Sequence, residues 1–229
     1  DQERVIEGAV EVIYETLKTC GLKYDEGPDI GGPHAPYVQS ERHLHYLPFA
    51  ERLVDEGKAY YCFCAKDRPV QDDAGERAGD FHSYDRRCRD LSAAEIKARL
   101  DAGDSYVIRQ KMPLTGSTSF QDEVFGEITV ENEELEDQIL IKSDGFPTYN
   151  FATVVDDHEM EITHVVRGSE YLSSTPKYNL LYQAFGWEIP AYIHLPLILG
   201  EDGSKLSKRH GATSFNDLVK LGYLPEAIV

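Results

Sequence analysis

The apolar positions of this chain recur at helical spacing near its start. An apolar stripe from Val5 to Leu17, with members three or four residues apart, predicts a helix that ends at Gly21. A second helix is predicted from Ser40 to Gly57, where Pro48 is expected to bend the helix or delay its start. The loop between them is rich in the turn-forming residues glycine, proline and aspartate.

The pattern changes in the middle of the chain, where short aromatic or alternating runs are typical of strands. Strands are predicted over residues 58–64, 106–109, 125–130 and 138–142. Between the first two, Ser92 and Glu95 have the spacing of a capping box and predict a helix that ends at Gly103. Residues 60–147 are therefore predicted to form a small α+β segment.

Beyond residue 147 the predicted helices and strands alternate. The helices cover 149–160 and 175–186, and the strands cover 162–167 and 192–199. This alternation is typical of a parallel sheet covered by helices, and ligands bind such sheets at the carboxyl ends of the strands. The loop 203–211 follows the last of these strands, so we expect it at the binding edge.

Composition adds limits to this picture. A chain of 229 residues that is 41% apolar and 28% charged fits a globular enzyme, and no apolar run is long enough to span a bilayer. The first residues lack the features of a signal peptide, so the expected compartment is the cytoplasm, with the four cysteines reduced. A net charge of −18 argues against nonspecific polyanion binding but allows a nucleic acid held at a local basic patch.

Both ends of the sequence lie next to helical patterns. Asp1 is a good helix cap with the first helix directly after it, and a helix opened by Pro225 is cut short at Val229. We expect the sequence to be a piece of a longer chain. The alternative is a naturally short protein with a frayed tail.

The loop 203–211 is basic in an otherwise acidic chain. Lys205 and Lys208 stand three positions apart with Ser207 between them, and glycines flank the loop. Ammonium groups donate to phosphate oxygens, and glycine lets the backbone approach a ligand closely. Such a loop can stabilise negative charge that develops at a phosphoryl centre. The alternative is a solvated hairpin tip.

Another candidate group lies around Arg167, at the end of the predicted strand 162–167. An arginine there can form a bidentate pair with a carboxylate or phosphate, or a salt bridge with Glu170 or Asp156. Tyr149 and Thr153 share one face of the preceding predicted helix and offer hydroxyl groups to a small polar ligand, although such residues are common on surfaces.

Two further sets of polar residues are interpreted as structural. His194 lies within an apolar predicted strand, which favours a hydrogen-bonded core histidine over a catalytic one. Asp156, Asp157 and His158 could bind a metal, but adjacent side chains on a helix point apart, which favours capping or solvated roles.

Three cysteines form a candidate metal knuckle. Cys62 and Cys64 are separated by one residue, and Cys88 follows after a stretch of charged residues and glycines that has no core of its own. Thiolates bind zinc tightly and could close this loop. The fourth ligand is open between Asp90, Tyr84 and His82. The alternative is three unrelated thiols.

Several segments together resemble one family. Lys205-Leu206-Ser207-Lys208-Arg209 resembles the second signature loop of the class I aminoacyl-tRNA synthetases. The other matching segments, in the same order and spacing, are residues 1–4, 37–42, 146–152, 154–158, 163–168, 174–177 and 184–187. The whole chain is similar to the catalytic core of bacterial-type glutamyl-tRNA synthetases.

The resemblance implies an α/β, Rossmann-like nucleotide-binding fold of the class I synthetases, split by an α+β insertion that binds the tRNA acceptor stem. Residues 1–59 would belong to the first half of the fold and 60–147 to the insertion, which would carry the zinc knuckle. Residues 148–212 would form the second half with the lysine loop, and 213–229 would begin a helical stem-contact region.

The resemblance also implies site residues. The expected reaction joins L-glutamate to the 3′ end of tRNA(Glu) through glutamyl-adenylate, with ATP and its Mg²⁺ as substrate, in a cytoplasmic monomer that does not bind membranes. The residues expected to act in catalysis are Lys205, Ser207 and Lys208. Those expected to bind ATP are Lys208, Ile198 and Arg209, and those expected to bind glutamate are Tyr149, Arg167, Thr153 and Glu170. A structural Zn²⁺ would be held by Cys62, Cys64, Cys88 and Asp90, with Tyr84 as the alternative fourth ligand.

The first signature motif of this family, of the form His-Ile-Gly-His, would precede Asp1, and an anticodon-binding region would follow Val229. We therefore predict that the chain alone does not form glutamyl-adenylate. Two other functions stay open. One is a paralogue that attaches glutamate to queuosine in tRNA(Asp), which shares the Tyr-x-x-x-Cys spacing of Tyr84 and Cys88. The other is a noncatalytic tRNA-binding or zinc-binding module.

Overall fold

The computed structural model describes residues 8–64, 84–199 and 214–228. In chain order the helices are α1 (Ala9–Thr19), α2 (His43–Asp55), α3 (Ala93–Asp101), α4 (Tyr149–Glu159), α5 (Thr175–Phe185), α6 (Phe215–Lys220) and α7 (Pro225–Ile228). The strands are β1 (Ala59–Cys62), β2 (Val107–Gln110), β3 (Ser117–Asp122), β4 (Gly126–Glu131), β5 (Ile139–Ile141), β6 (His164–Gly168) and β7 (Ala191–Leu195). Within these ranges no helix has the length and apolarity needed to cross a membrane.

The described residues fall into two compact units. One contains residues 8–41, 168–170, 195–199 and 214–228, and the other contains 42–64, 84–167 and 171–194. In the first unit α1 ends as predicted before Gly21, whose positive φ of 70° suits glycine. Ser214 and Asp217 form a capping box at the start of α6.

The second unit contains two sheets. β1, β2 and β5 form an antiparallel sheet with β2 in the middle. The other sheet has the order β4-β3-β7-β6, in which β3 and β4 form an antiparallel hairpin and β3 runs parallel to β7. Although β3 and β4 lie within the predicted insertion 60–147, they pair with β7 and not with β1, β2 or β5.

The main core of this unit lies where α2, α4 and α5 meet the sheet of β1, β2 and β5. Fully buried side chains from each element meet there, including Tyr46, Leu53, Ile108, Leu140, Phe151 and Leu181. Each such apolar side chain contributes roughly 2 kcal/mol when it leaves water. A smaller core formed by Tyr60, Cys62, Cys88 and Val107 lies apart from the main one.

Most predicted elements are confirmed, with shifted ends. Ser92 and Glu95 do form a capping box at α3, and Gly186 ends α5 in the left-handed conformation. The second helix differs from its prediction: a 3₁₀ turn covers Gln39–Arg42, α2 begins at His43, and Pro48 lies inside it. The sequence-based prediction has no strand at β3, because the buried positions of this strand alternate between Thr118, Phe120 and Asp122, of which only one is apolar.

Candidate functional site

Arg167, on β6, is surrounded by aromatic rings. Its guanidinium carbon lies 4.5 Å from the ring centre of Tyr178, 5.0 Å from that of Tyr171 and 5.5 Å from that of Tyr192. Tyr178 and Tyr192 are almost fully buried, at 2% and 3% exposure. The cation therefore lies in a pocket of rings whose faces attract positive charge.

Two hydrogen bonds fix the orientation of this guanidinium. Its Nε donates to Nε2 of His194 at 3.0 Å, and its Nη2 donates to the hydroxyl of Thr175 at 2.8 Å. Both acceptors are neutral. Among the described residues of this unit, no carboxylate forms an ion pair with the guanidinium, so the proposed salt bridge to Asp156 is not formed. Asp156 pairs instead with Arg42.

His194 and Asp122 continue this chain of contacts into the core. Both side chains are fully buried, and Nδ1 of His194 lies 2.6 Å from Oδ2 of Asp122. Burial alone would raise the pKa of Asp122, but hydrogen bonds from His194 and from the backbone N–H groups of Phe125 and Val124 hold it below its ordinary value. Asp122 is therefore a buried carboxylate that stays charged. The prediction of a hydrogen-bonded core histidine at 194 is confirmed, but its contact with Arg167 was not predicted.

Tyr149 lies near Arg167, and Thr153 contacts Tyr149. Tyr149 is exposed and its ring centre lies 6.1 Å from that of Tyr171, which also contacts Arg167. Burial of its hydroxyl and the hydrogen bond with Tyr171 raise the pKa of Tyr149, while Thr153 and Arg167 act to lower it. The hydroxyls of Tyr149 and Thr153 and the Arg167 cation therefore share one neighbourhood.

Asp157 adds a carboxyl group to the same neighbourhood. Burial raises its pKa to about 6, against a hydrogen bond from Tyr182 and the attraction of Arg167. The group was predicted to be capping or solvated. The structure shows instead a partly buried carboxyl, because α4 packs against α5.

Two other predicted ligand-binding residues, Glu170 and Ile198, belong to the first compact unit. Glu170 is exposed in a 3₁₀ turn, and Ile198 is 75% exposed after β7. The predicted catalytic residues Lys205, Ser207 and Lys208, together with Arg209, lie outside the described residues.

The three cysteines of the predicted knuckle do meet. The sulfurs of Cys62, Cys64 and Cys88 all lie within 4.8 Å of one another, and that of Cys64 is 3.6 Å from that of Cys88. Sulfurs around a tetrahedral zinc ion stand about 3.8 Å apart, since each Zn–S bond is about 2.3 Å long. The spacing of the three sulfurs therefore fits a zinc site.

The structure describes two of the three candidate fourth ligands and places them differently. The hydroxyl of Tyr84 lies 3.1 Å from the sulfur of Cys62. The side chain of Asp90 is 89% exposed and lies 4.0 Å from the ammonium of Lys111, outside the cluster of donors. His82 lies outside the described residues. The structure thus brings Tyr84, and not Asp90, to the thiols.

Asp137 holds the segment that carries Cys88. Its fully buried carboxylate accepts hydrogen bonds from Arg89, from the hydroxyl of Tyr60 and from the backbone N–H of Met112. Nε of Arg86 lies 3.5 Å away. Because Arg86 and Arg89 flank Cys88, this carboxylate anchors the knuckle to β1 and β2. No local signal in the sequence distinguishes Asp137 from the acidic residues around it.

Known proteins match both the sequence and the fold. A family model described as "tRNA synthetases class I (E and Q), catalytic domain" matches residues 1–229. The glutamate–tRNA ligases of Clostridium tetani and Clostridium botulinum (strain Hall) are 60% and 61% identical to the chain over its whole length. The chain spans about half of these relatives, covering 47% of each.

Two solved structures agree with these matches. One is a glutamate tRNA ligase from Elizabethkingia meningosepticum in complex with its amino acid, with a TM-score of 0.82 over 97% of this chain. The other is a glutamate-tRNA synthetase from Elizabethkingia anophelis, with a TM-score of 0.81 over 96% of this chain. Both are 38% identical to the chain, which covers 45% of each.

The mixed sheet and these matches define a class I synthetase catalytic domain, which confirms the predicted Rossmann-like α/β fold class. The chain belongs to the family of class I tRNA synthetases for glutamate and glutamine. The relatives named above carry the name glutamate–tRNA ligase.

Proposed function

We propose that this chain is the catalytic part of an enzyme that uses ATP to attach L-glutamate to the 3′ end of tRNA(Glu). A carboxylate oxygen of glutamate attacks the α-phosphorus of Mg²⁺-bound ATP, and pyrophosphate leaves. The terminal hydroxyl of the tRNA then attacks the carbonyl of glutamyl-adenylate, and AMP leaves. Catalysis of this kind depends on positioning and charge stabilisation.

The main support for this proposal is the environment of the Arg167 guanidinium. It is held by two neutral acceptors within a pocket of tyrosine rings, and no carboxylate of the described residues of its unit forms an ion pair with it. A partly buried guanidinium that is not paired with a described carboxylate of its unit is suited to bind a carboxylate ligand. The relative from Elizabethkingia meningosepticum was solved with its amino acid, which supports a glutamate site in this fold.

The remaining roles follow from the family signature. Tyr149 and Thr153 would contact glutamate together with Arg167, and the resemblance gives Glu170 a role in glutamate binding as well. Lys205, Ser207 and Lys208 would act on the ATP phosphates, with Ile198 and Arg209 as further ATP contacts. The acceptor stem would bind the insertion 60–147, where the cysteine cluster lies. A cytoplasmic location and a monomeric state are predictions that go with this function.

The test is glutamate-dependent ATP–pyrophosphate exchange by the full-length protein, meaning these residues with whatever precedes and follows them. We expect Arg167→Lys to lower kcat/KM for glutamate roughly 100-fold, because lysine cannot reproduce the planar donor set of arginine. Arg99→Lys on exposed α3 is the matched control. Unchanged kinetics in Arg167→Lys would refute the role of Arg167.

We also propose a structural zinc ion held by Cys62, Cys64, Cys88 and Tyr84. Three thiols at zinc-compatible spacing and a phenol oxygen 3.1 Å from one of them provide a complete donor set. The ion would cross-link β1 to the segment around Cys88. The geometry favours Tyr84 over Asp90 as fourth ligand.

The position of Tyr84 also favours a second function, the paralogue that modifies queuosine in tRNA(Asp). The relatives that are about 60% identical are named glutamate–tRNA ligase, which favours the first function, attachment of glutamate to tRNA(Glu). Transfer of radiolabelled glutamate to purified tRNA(Glu) or tRNA(Asp) separates the two. A protein that binds tRNA and zinc without exchange activity would be the noncatalytic module.

A further inference from the structure

We propose that Asp122 and His194 are positioning residues for Arg167, which together fix the direction in which its guanidinium offers N–H groups to a substrate carboxylate. This inference rests on the proposed function, in which Arg167 binds glutamate. The three side chains come from β3, β7 and β6, which are neighbours in one sheet.

The hydrogen-bond partners determine which ring nitrogen of His194 carries the proton. Arginine only donates, so Nε2 must accept from Nε of Arg167 at 3.0 Å. The hydroxyl of Thr175 lies 3.3 Å from Nε2, but it donates its proton to the carbonyl of Tyr171 at 2.8 Å. Nδ1 therefore carries the proton and donates to Asp122 at 2.6 Å. His194 is neutral in this arrangement.

A neutral acceptor orients Arg167 without cancelling its charge. A carboxylate in direct contact would form an ion pair with the guanidinium and compete with an anionic ligand. Here the negative charge of Asp122 lies one imidazole ring further away. The guanidinium is thus held in place by His194 and Thr175 while its remaining donors and its charge are available to a substrate.

Every described group that forms a hydrogen bond with the side chain of Asp122 is a donor, so only a carboxylate fits this position. Oδ1 accepts from the backbone N–H groups of Val124 and Phe125, both at 2.9 Å, and Oδ2 accepts from the backbone N–H and the ring of His194. In Asp122→Asn the side-chain NH₂ would face two donors in either orientation. If it faces His194, the ring proton moves to Nε2 and meets the N–H of Arg167 as a second donor, which breaks the contact.

The first experiment needs no substitution. In the full-length protein labelled with ¹⁵N-histidine, NMR is expected to show His194 neutral and protonated on Nδ1. A proton on Nε2, or on both nitrogens, at pH 7 would overturn the inference. The spectrum of Asp122→Asn is expected to show the proton on Nε2.

The second experiment measures pyrophosphate exchange by the full-length protein. We expect Asp122→Asn to raise the KM for glutamate about 10- to 100-fold, with kcat and the KM for ATP changed much less, because a hydrogen bond to a charged group is lost from substrate binding. His194→Gln, whose amide oxygen can replace Nε2, is expected to retain more glutamate affinity than His194→Leu. Asp104→Asn, on an exposed turn, is the control.

The outcomes are distinguishable. An unchanged glutamate KM in Asp122→Asn, with wild-type exchange normal, would overturn the positioning role and leave the proposed function intact. If His194→Gln and His194→Leu raise the KM for glutamate equally, His194 has a packing role only. If the wild-type protein shows no glutamate-dependent exchange, the proposed function fails and the inference fails with it, whatever the NMR spectrum shows.

Discussion

Nε of Arg42 donates to Oδ1 of Asp156 at 2.7 Å, and this buried pair joins the start of α2 to α4. The side chain of Arg42 is only 3% exposed. The hydroxyl of Tyr46 donates to both oxygens of Asp156 at 2.9 and 3.0 Å, and Arg42 also contacts Glu159. Burial raises the pKa of Asp156, although Arg42 and Tyr46 oppose this shift. The pair therefore keeps a carboxylate charged inside the fold.

Arg42→Met is expected to lower the free energy of unfolding by about 3 kcal/mol, because it leaves the Asp156 carboxylate buried without its cation. Urea denaturation followed by circular dichroism measures the change. Arg42→Met combined with Asp156→Leu should recover part of the loss, since an apolar pair has no charge to desolvate. A double variant no more stable than Arg42→Met would contradict this account.

Asp157 should make stability depend on pH between about 3.8 and about 6. Its pKa is raised from 3.8 to about 6, chiefly by burial, so the native state binds the proton more tightly than the unfolded state in this interval. Its contribution to stability therefore falls as pH rises through this range. Asp157→Asn is expected to be about 1 to 2 kcal/mol more stable than wild type at pH 7.

Melting temperatures across this pH range check the prediction for Asp157, with the exposed Asp104→Asn as control. The stability that Asp157→Asn gains over wild type should decrease towards pH 4, because the wild-type carboxyl is then protonated and uncharged like the amide. A gain independent of pH would show that the charge of Asp157 is not its cause.

Ser92→Ala should lower the free energy of unfolding by about 1 kcal/mol, because the Ser92 hydroxyl accepts from the backbone N–H of Glu95 at the start of α3. Glu95→Ala removes the reciprocal bond to the N–H of Ser92. Thermal melts of both single variants and the double variant measure the coupling. Strictly additive losses would mean that the two halves of the capping box act separately.

Tyr84→Phe should weaken zinc binding about tenfold or more, because it deletes the proposed fourth donor. Zinc content after dialysis, and affinity by competition with a chelator, measure the effect on the purified chain. Asp90→Asn is the matched comparison and should bind zinc like wild type. If Asp90→Asn weakens zinc binding and Tyr84→Phe does not, the fourth ligand is Asp90 and not Tyr84.

Local features of the fold could be predicted from the sequence. The capping box at Ser92 and the glycine that ends α5 involve neighbours within a few residues, so their signals are contiguous. β3 escaped prediction because Asp122 occupies an inward position where an apolar residue is expected. Its burial depends on His194, 72 residues later in the chain.

The candidate site shows the same division. Residue type and spacing pointed to Arg167, Tyr149 and the three cysteines, whose roles stay predictions. They did not point to Asp137 and Asp122, because each is one acid among many in a chain with 41 Asp and Glu residues. Only the fold shows that these two carboxylates are buried and what each of them holds.

The contact between Asp122 and His194 also has a consequence for synthesis on the ribosome. The two residues are 72 positions apart in the chain. Contacts over such a separation form more slowly than those within a local hairpin. During translation the β3–β4 hairpin can form early. The contact between Asp122 and His194 can form only after the chain as far as β7 has left the ribosome. Arg167 on β6 is synthesised earlier, but its guanidinium can be oriented by His194 only after β7 has been added to the sheet.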